Sequence, residues 1–315
     1  MPKKEKVLIT GATGIVGANV ARHMVKEGHE VHIITRESSS RWRLSDILNQ
    51  LSDHAVSLEE KEKLFPILKV VNPSIILHFA TYGGFPFHRD EEQILKTNII
   101  GTTNLIKGLM DVNYKCFINT GSSSEYGPKQ EKMKESDICE PINFYGVTKA
   151  ASTFYASYMA KREKKPIINL RLFSPFGPYD DKTRLMAEAT LNALQNKEIN
   201  LANPKAVRDY IYMADVIDLY LKVIEKAGQV KGEVFNVGSG KETSIEYAVN
   251  KILELSGSKS KVNWGAITPR ASDTQTWEAD MDKTTKTFSW KPKYSIDEGI
   301  KETVNWFRAN LSLYL

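Results

Sequence analysis

In the first half of the chain, short apolar runs alternate with longer stretches whose apolar residues recur at helical spacing. Val7-Leu8-Ile9-Thr10 ends at a glycine-rich turn and reads as a first buried strand. Residues 15–27 carry helical spacing, and Val31-His32-Ile33-Ile34 reads as a second strand. Further apolar strands are predicted at 75–79, 116–119 and 167–172, separated by helical stretches, notably 90–110 and 144–161. This alternation predicts an α/β fold on a doubly wound parallel sheet, with ligands at the carboxyl ends of its strands.

After Leu172 the texture changes. Residues 173–181 are rich in Pro and Gly, and helical spacing follows at 185–196. A strand at 208–211, a helix at 215–226, a strand at 233–237 and an amphipathic helix at 295–307 complete the pattern. The expectation is a first domain over 1–172, built on the doubly wound sheet, and a smaller second lobe over 173–315. The boundary is soft, because part of the second region can return to complete the first sheet. No internal repeat or low-complexity segment interrupts either part.

Composition narrows the class. With 41% apolar and 26% charged residues, the 315-residue chain has ordinary globular character. No apolar run approaches the roughly 18–20 residues of a membrane span. The charged start, Met1-Pro2-Lys3-Lys4-Glu5-Lys6, leads straight into a strand rather than a signal-peptide core, so a cytoplasmic protein is expected. The two cysteines, Cys116 and Cys139, have neither metal-like spacing nor a disulfide framework, and no metal site is expected. The net charge of +5 comes from scattered basic residues not clustered with aromatics, which argues against a nucleic-acid partner.

Candidate chemistry begins at Gly11-Ala12-Thr13-Gly14-Ile15-Val16-Gly17, between the first strand and the first helix. Glycine lets the backbone turn tightly against a pyrophosphate, and a helix N-terminus offers N–H groups and a positive dipole end. The spacing is G-x-x-G-x-x-G rather than the commoner G-x-G-x-x-G; a structural turn is the competing reading, and the strand–loop–helix context favours a dinucleotide. In NAD sites an acidic residue about 20 residues further on takes the ribose hydroxyls. Here the second strand ends in Thr35-Arg36-Glu37-Ser38-Ser39-Ser40-Arg41. Arg36, helped by Ser38 or Ser39, suits a 2′-phosphate and points to NADP(H). If Arg36 is only a solvated loop residue, Glu37 becomes the ribose ligand and the cofactor is NAD(H).

Tyr145-Gly146-Val147-Thr148-Lys149 opens a predicted helix and puts Tyr145 and Lys149 on one face at i,i+4. A free tyrosine titrates at about 10, too high for easy proton transfer at neutral pH, and an adjacent ammonium lowers it. Such a pair also occurs on ordinary solvated helices, so the glycine loop before it matters. Asn119-Thr120-Gly121-Ser122-Ser123-Ser124-Glu125-Tyr126-Gly127 lies just beyond a predicted strand. A serine there can hydrogen-bond a substrate oxygen, and the residues by themselves do not choose among the three.

Together these segments resemble the extended short-chain dehydrogenases/reductases, in their nucleotide-sugar epimerase/dehydratase/reductase branch. The resemblance also runs through His78-Phe79-Ala80, Asn98-Ile99-Ile100-Gly101-Thr102 and Arg171-Leu172-Phe173-Ser174-Pro175-Phe176-Gly177-Pro178. Arg208-Asp209-Tyr210-Ile211-Tyr212, Phe235-Asn236-Val237-Gly238-Ser239-Gly240 and Ser289-Trp290-Lys291-Pro292 extend it to the C-terminal lobe. It implies a Rossmann domain, a lobe that grips a nucleotide diphosphate-sugar, and a homodimer. The family's S/T-x-x-x-Y-G pattern selects Ser122 as catalytic beside Tyr145 and Lys149. Gly11, Thr13, Gly14, Ile15, Val16, Gly17, Arg36, Ser38 and Ala80 fall to the cofactor. Ser123, Ser124, Ser174, Arg208 and Arg270 fall to the substrate, the arginines because a guanidinium fork pairs with phosphate oxygens.

Two departures sharpen the expectation. Nucleotide-sugar 4,6-dehydratases place acidic residues directly after the catalytic Ser/Thr, where this chain has Ser123 and Ser124. Glu125 comes one residue late and, on an extended segment, points the other way. Ser174 stands where the family has Asn. The expected activity is reduction of a nucleotide-4-keto-6-deoxyhexose at C4; the alternative is a 4-epimerase, and dehydration is not expected. A non-catalytic dinucleotide sensor on the same fold is the rival from another class, and it has no use for Tyr145 and Lys149.

Overall fold

The computed structural model describes residues 4–85, 87–269, 274 and 276–315. From the N-terminus come β1 (Lys6–Thr10), α1 (Ile15–Lys26), β2 (Glu30–Thr35), β3 (Leu51–Ala55), α2 (Lys61–Val71) and β4 (Ile75–His78). Next are α3 (Glu91–Leu95), a π-helical stretch (Lys96–Gly101), α4 (Thr102–Gly108), β5 (Cys116–Ser122), α5 (Phe144–Arg162) and β6 (Ile167–Leu172). The remainder holds β7 (Ser174–Phe176), α6 (Leu185–Leu194), β8 (Ile199–Leu201), β9 (Val207–Tyr212), α7 (Met213–Lys226) and β10 (Val234–Val237). It closes with β11 (Glu242–Ser244), α8 (Ile245–Ser256), β12 (Val262–Trp264), α9 (Asp282–Phe288) and α10 (Ile296–Ala309).

The chain divides into two compact units. The first takes the residues up to Gly127, Ile138–Leu172 and Tyr220–Phe235; the second takes Pro128–Asp137, Phe173–Leu219 and Asn236–Leu315. The central sheet has the order β10-β6-β5-β4-β1-β2-β3, and its strands from β6 to β3 pair in parallel, a Rossmann-type arrangement. Because β1 lies between β2 and β4, strand order reverses beside it and opens the crevice where dinucleotides bind in such sheets. Every residue of β4 and β6 is buried, the continuous apolar reading of strands covered on both faces. Leu8, Ile76, Phe117 and Ile167 pack with Leu64, Leu68, Leu105 and Ile106 in one core.

Two elements depart from the apolar pattern. β3 has no apolar run because it is an edge strand with Ser52, Asp53 and Ala55 exposed. The single helix expected over 90–110 is instead α3, a π-helical stretch and α4. Asn98 sits in that stretch with its side chain turned inward, where its amide donates to Tyr82 O (2.8 Å) and Thr148 Oγ1 (2.9 Å). π-Bulges commonly re-aim one side chain in this way.

The second unit contains the three-stranded sheet β11-β9-β7 and the parallel pair β12-β8. Phe176, Met186, Ile199, Leu201, Ile252, Ile300 and Val304 form its core. α10 begins in a capping box between Ser295 and Glu298 and presses Gly299 onto Phe176. A Cβ at Gly299 would lie 2.8 Å from Phe176 Cζ. Among the described residues no helix is long and apolar enough to cross a membrane.

Candidate active site

The glycine loop is built by close approach. Gly11 has φ +69°, and a Cβ there would lie 2.4 Å from Ala80 N. A Cβ on Gly17 would lie 2.3 Å from Gly11 O. Gly14 is the N-cap of α1 and offers no side chain to cap it, so nothing of its own covers the first turn. A backbone surface without side chains at a helix N-terminus suits a pyrophosphate, and on this observation the loop fits a dinucleotide. Thr10 Oγ1 accepts from Ala80 N (3.3 Å) and ties the loop to the end of β4.

Behind the loop, His78 is a buried brace. Its Nδ1 lies 2.6 Å from Thr10 Oγ1 and its Nε2 lies 2.8 Å from Thr102 Oγ1. Thr102 Oγ1 spends its proton on Asn98 O (2.7 Å), so His78 Nε2 donates and Nδ1 accepts. Burial, aided by the charge of Lys149, pushes His78 down to about 3 and keeps it neutral.

At the end of β2, Arg36, Glu37 and Ser38 are exposed. The arginine that engages the strand is Arg41. Its Nε pairs with Asp53 Oδ2 (2.5 Å) and its Nη2 donates to Thr35 Oγ1 (2.6 Å), which donates to Asp53 Oδ1 (2.6 Å). Arg43 is buried, stacks 4.4 Å over the Trp42 ring and donates to Thr13 O in the glycine loop (3.1 Å). The apolar pattern hides both arginines, because their partners come from loop backbone and from the edge strand β3.

The structure brings the predicted catalytic segments together within the first unit. Asn143 caps α5 by accepting from Gly146 N (2.8 Å), which places Tyr145 in the first turn and Lys149 one turn on. A Cβ on Gly146 would lie 2.4 Å from Ser124 O, so the start of α5 presses against the serine loop. Lys149 is buried, and its Nζ donates to Thr120 O (2.6 Å), two residues before Ser122. Burial lowers Lys149 to about 8, against the opposing pull of the Glu125 carboxylate.

Ser122 ends β5, and its Oγ accepts from Ser124 N (3.1 Å). Ser123–Glu125 forms a 3₁₀ turn rather than the extended segment assumed from sequence. Ser123 is buried and Ser124 half-buried. Glu125 is fully buried: Oε1 accepts from Ser122 N (2.8 Å) and Thr153 Oγ1 (3.0 Å), and Oε2 accepts from Arg171 Nε (2.8 Å).

A second feature beyond the sequence reading is the loop after β4. A Cβ on Gly84 would lie 3.8 Å from the Tyr145 ring, and within the same loop Tyr82 stacks on His88 and Phe85 on Phe87, with His88 edge-on to both phenylalanines. Asn98 Oδ1 holds this loop by accepting from Tyr82 N (2.9 Å) and Thr81 Oγ1 (3.1 Å). The aromatic spacing was a legible signal, but no period assigns it to a helix or strand.

The second unit holds Ser174 on β7 and Arg208 on β9, neighbouring strands of one sheet. Arg208 lies 5.8 Å from the Trp277 ring and donates to Val207 O (2.7 Å). Asp209 is fully buried and accepts from Ser239 N and Oγ, Gly240 N and Ala279 N, which folds the 238–240 turn around it. Burial raises Asp209 to about 6 while those donors pull it down. Arg270, the other arginine expected at the substrate, lies outside the described residues.

Known proteins share the sequence pattern and the fold. The chain is 25% identical to CDP-abequose synthase of Salmonella muenchen over 301 residues, covering 96% of this chain and 97% of that protein. The crystal structure of UDP-glucose 4-epimerase from Thermotoga maritima with UDP-glucose is 26% identical, with a TM-score of 0.89. That match covers 97% of this chain and 99% of the epimerase. At 23% identity, dTDP-glucose 4,6-dehydratase from Bacillus anthracis in complex with NAD shares the fold, with a TM-score of 0.87 and 98% of each chain covered. The model of the NAD dependent epimerase/dehydratase family matches residues 7–238, and this chain belongs to that family.

Proposed function

We propose that the protein reduces a nucleotide-4-keto-6-deoxyhexose at C4, with NADP(H) as its preferred cofactor. The observation that carries the reading is the junction of β5 and α5. There Lys149 is buried against Thr120 O, and the first turn of α5 is packed on the loop of Ser122. A bound nicotinamide would supply the hydride acceptor or donor. Ser122 orients the sugar oxygen, Tyr145 gives or takes its proton, and the Lys149 cation stabilises the phenolate and holds the cofactor ribose. Gly11, Thr13, Gly14, Ile15, Val16, Gly17 and Ala80 are proposed for the dinucleotide, and Arg36 and Ser38, exposed at the end of β2, for its 2′-phosphate. Ser123, Ser124, Ser174, Arg208 and Arg270 are proposed for the nucleotide diphosphate-sugar.

The burial of Glu125 supports setting dehydration aside. That reaction needs an acid–base pair at the sugar, and this carboxylate is committed to Ser122 N, Thr153 and Arg171. The likeness to CDP-abequose synthase supports action on a nucleotide-sugar. The likeness to UDP-glucose 4-epimerase favours the second reading, a 4-epimerase that keeps its cofactor bound. A homodimer in the cytoplasm accords with either.

The deciding assay mixes protein, NADPH and a nucleotide-4-keto-6-deoxyhexose and follows the absorbance of the reduced nicotinamide. Stoichiometric loss is expected. A C4-inverted sugar formed from a nucleotide-hexose without net consumption would assign the epimerase, and a 4-keto-6-deoxy product from a nucleotide-hexose would assign the dehydratase.

A further inference from the structure

We infer that Glu125, anchored by Arg171, is a positioning residue that sets the Ser122 hydroxyl for turnover. The inference rests on the proposed role of Ser122 as the group that orients the sugar oxygen.

The geometry is specific. Ser122 is the last residue of β5, where the strand ladder ends and its N–H needs a new acceptor. Glu125 Oε1 takes that N–H at 2.8 Å, while Ser122 Oγ takes Ser124 N at 3.1 Å. The two bonds close a capping box over one turn and fix the backbone from which the hydroxyl projects.

A buried carboxylate requires a counter-charge, and Arg171 on β6 supplies it through Nε at 2.8 Å, both side chains almost fully buried. Arg171 is held in turn by the Tyr126 ring 4.4 Å away and by Cys139 Sγ, which accepts from Nη2 at 3.0 Å. Thr153 on α5 completes the set by donating to Oε1 at 3.0 Å. One carboxylate thus ties the serine to β6 and to the helix that carries Tyr145 and Lys149. A Cβ on Gly121 would lie 2.5 Å from Glu125 Oε1, so glycine before the serine leaves the space this carboxylate fills. Glu125 is fully buried with its oxygens on Ser122, Thr153 and Arg171, so its influence runs through Ser122.

The test is a double-mutant cycle on kcat, with cofactor affinity from fluorescence titration and folding from thermal melts. Removing one member of the pair leaves a buried charge unpaired, and a glutamine would still accept from Ser122 N, so the apolar combination Glu125→Met with Arg171→Met is used. It should bind cofactor with unchanged affinity and KM while kcat falls about tenfold or more, the scale of a misplaced reacting group. In a Ser122→Ala background the same change should cost no further kcat. Equal losses with Ser122 present and absent, or no loss with Ser122 present, would overturn the inference.

Should that combination fail to fold, Thr153→Val keeps the ion pair and removes one donor to Oε1. It should lower kcat about threefold, and only where Ser122 is intact; the same loss in both backgrounds, or none, overturns the inference. Full activity in Ser122→Ala by itself would sink the reading of the site. A crippled Ser122→Ala with additive losses sinks only the role of Glu125.

Discussion

The carboxyl ends of β5 and β2 face the same crevice class of a doubly wound sheet, yet they are built in opposite ways. At β5, Ser122, Glu125, Lys149 and Arg171 are buried and joined by short hydrogen bonds to three elements. At β2, Arg36, Glu37 and Ser38 are exposed, and the best-held arginine, Arg41, spends its fork on Asp53 and Thr35. Burial makes an electrostatic interaction strong and a misplaced group costly, whereas exposure leaves both mild. The first end is therefore suited to chemistry with one geometry, and the second to selection between similar cofactors.

If that contrast is right, the largest effects lie at β5–α5. Tyr145→Phe should lower kcat by about 10²–10⁴, the range of a lost proton donor, and leave cofactor affinity nearly intact. Lys149→Met should lose turnover and cofactor affinity together, because one ammonium is proposed for both tasks. Retention of most of kcat in Tyr145→Phe would refute the mechanism.

A pH profile sharpens the same end. Lys149 sits at about 8, pushed down by burial, so its cation is present below that pH and lost above it. kcat should fall about tenfold per pH unit beyond about 8. The contribution of Lys149 to stability runs the other way. The unfolded chain holds this proton more tightly, so stability from this group rises between about 8 and the ordinary value of 10.5. A flat kcat from pH 7 to 9 would show that the Lys149 cation is not required.

Asp209 in the second unit is buried like Glu125, but its partners are three backbone N–H groups and the Ser239 hydroxyl. Asp209→Asn would turn an acceptor oxygen into a donor against Gly240 N and Ala279 N or against Ser239 N. The expected cost is about 1–3 kcal/mol in stability by chemical denaturation, the scale of buried unsatisfied donors. An unchanged midpoint would mean that the 238–240 turn holds without the carboxylate.

The legibility of the sequence follows the same divide. The buried strands β1, β4, β5 and β6 announced themselves as apolar runs, and the loop at Gly11–Gly17 did so through glycines that close approach demands. β3 was illegible because an edge strand with exposed Ser52 and Asp53 has no apolar signature. The π-helical break at Asn98 was illegible because one extra residue in a turn leaves helical spacing nearly intact. Glu125 was visible and its inward direction was anticipated on a wrong premise. The segment is a 3₁₀ turn, and what draws the carboxylate in is Arg171, 46 residues away in sequence.

The smallest effect belongs to the end of β2. Arg36 is exposed, so a pair with a 2′-phosphate is charge-assisted but screened, and it falls at the low end of such contacts. Arg36→Ala should weaken NADPH about tenfold and NADH hardly at all, read as the ratio of two dissociation constants from fluorescence titration. Arg41→Ala is the control. Its guanidinium is bound to Asp53 and Thr35, so losing it loosens the β2–β3 edge and should shift both cofactors by a similar factor. If the NADPH-to-NADH ratio stays fixed in Arg36→Ala and collapses in Arg41→Ala, selectivity resides in the anchored arginine. The exposed end of β2 would then be as strictly built as the buried end of β5, and the contrast between the two would fail.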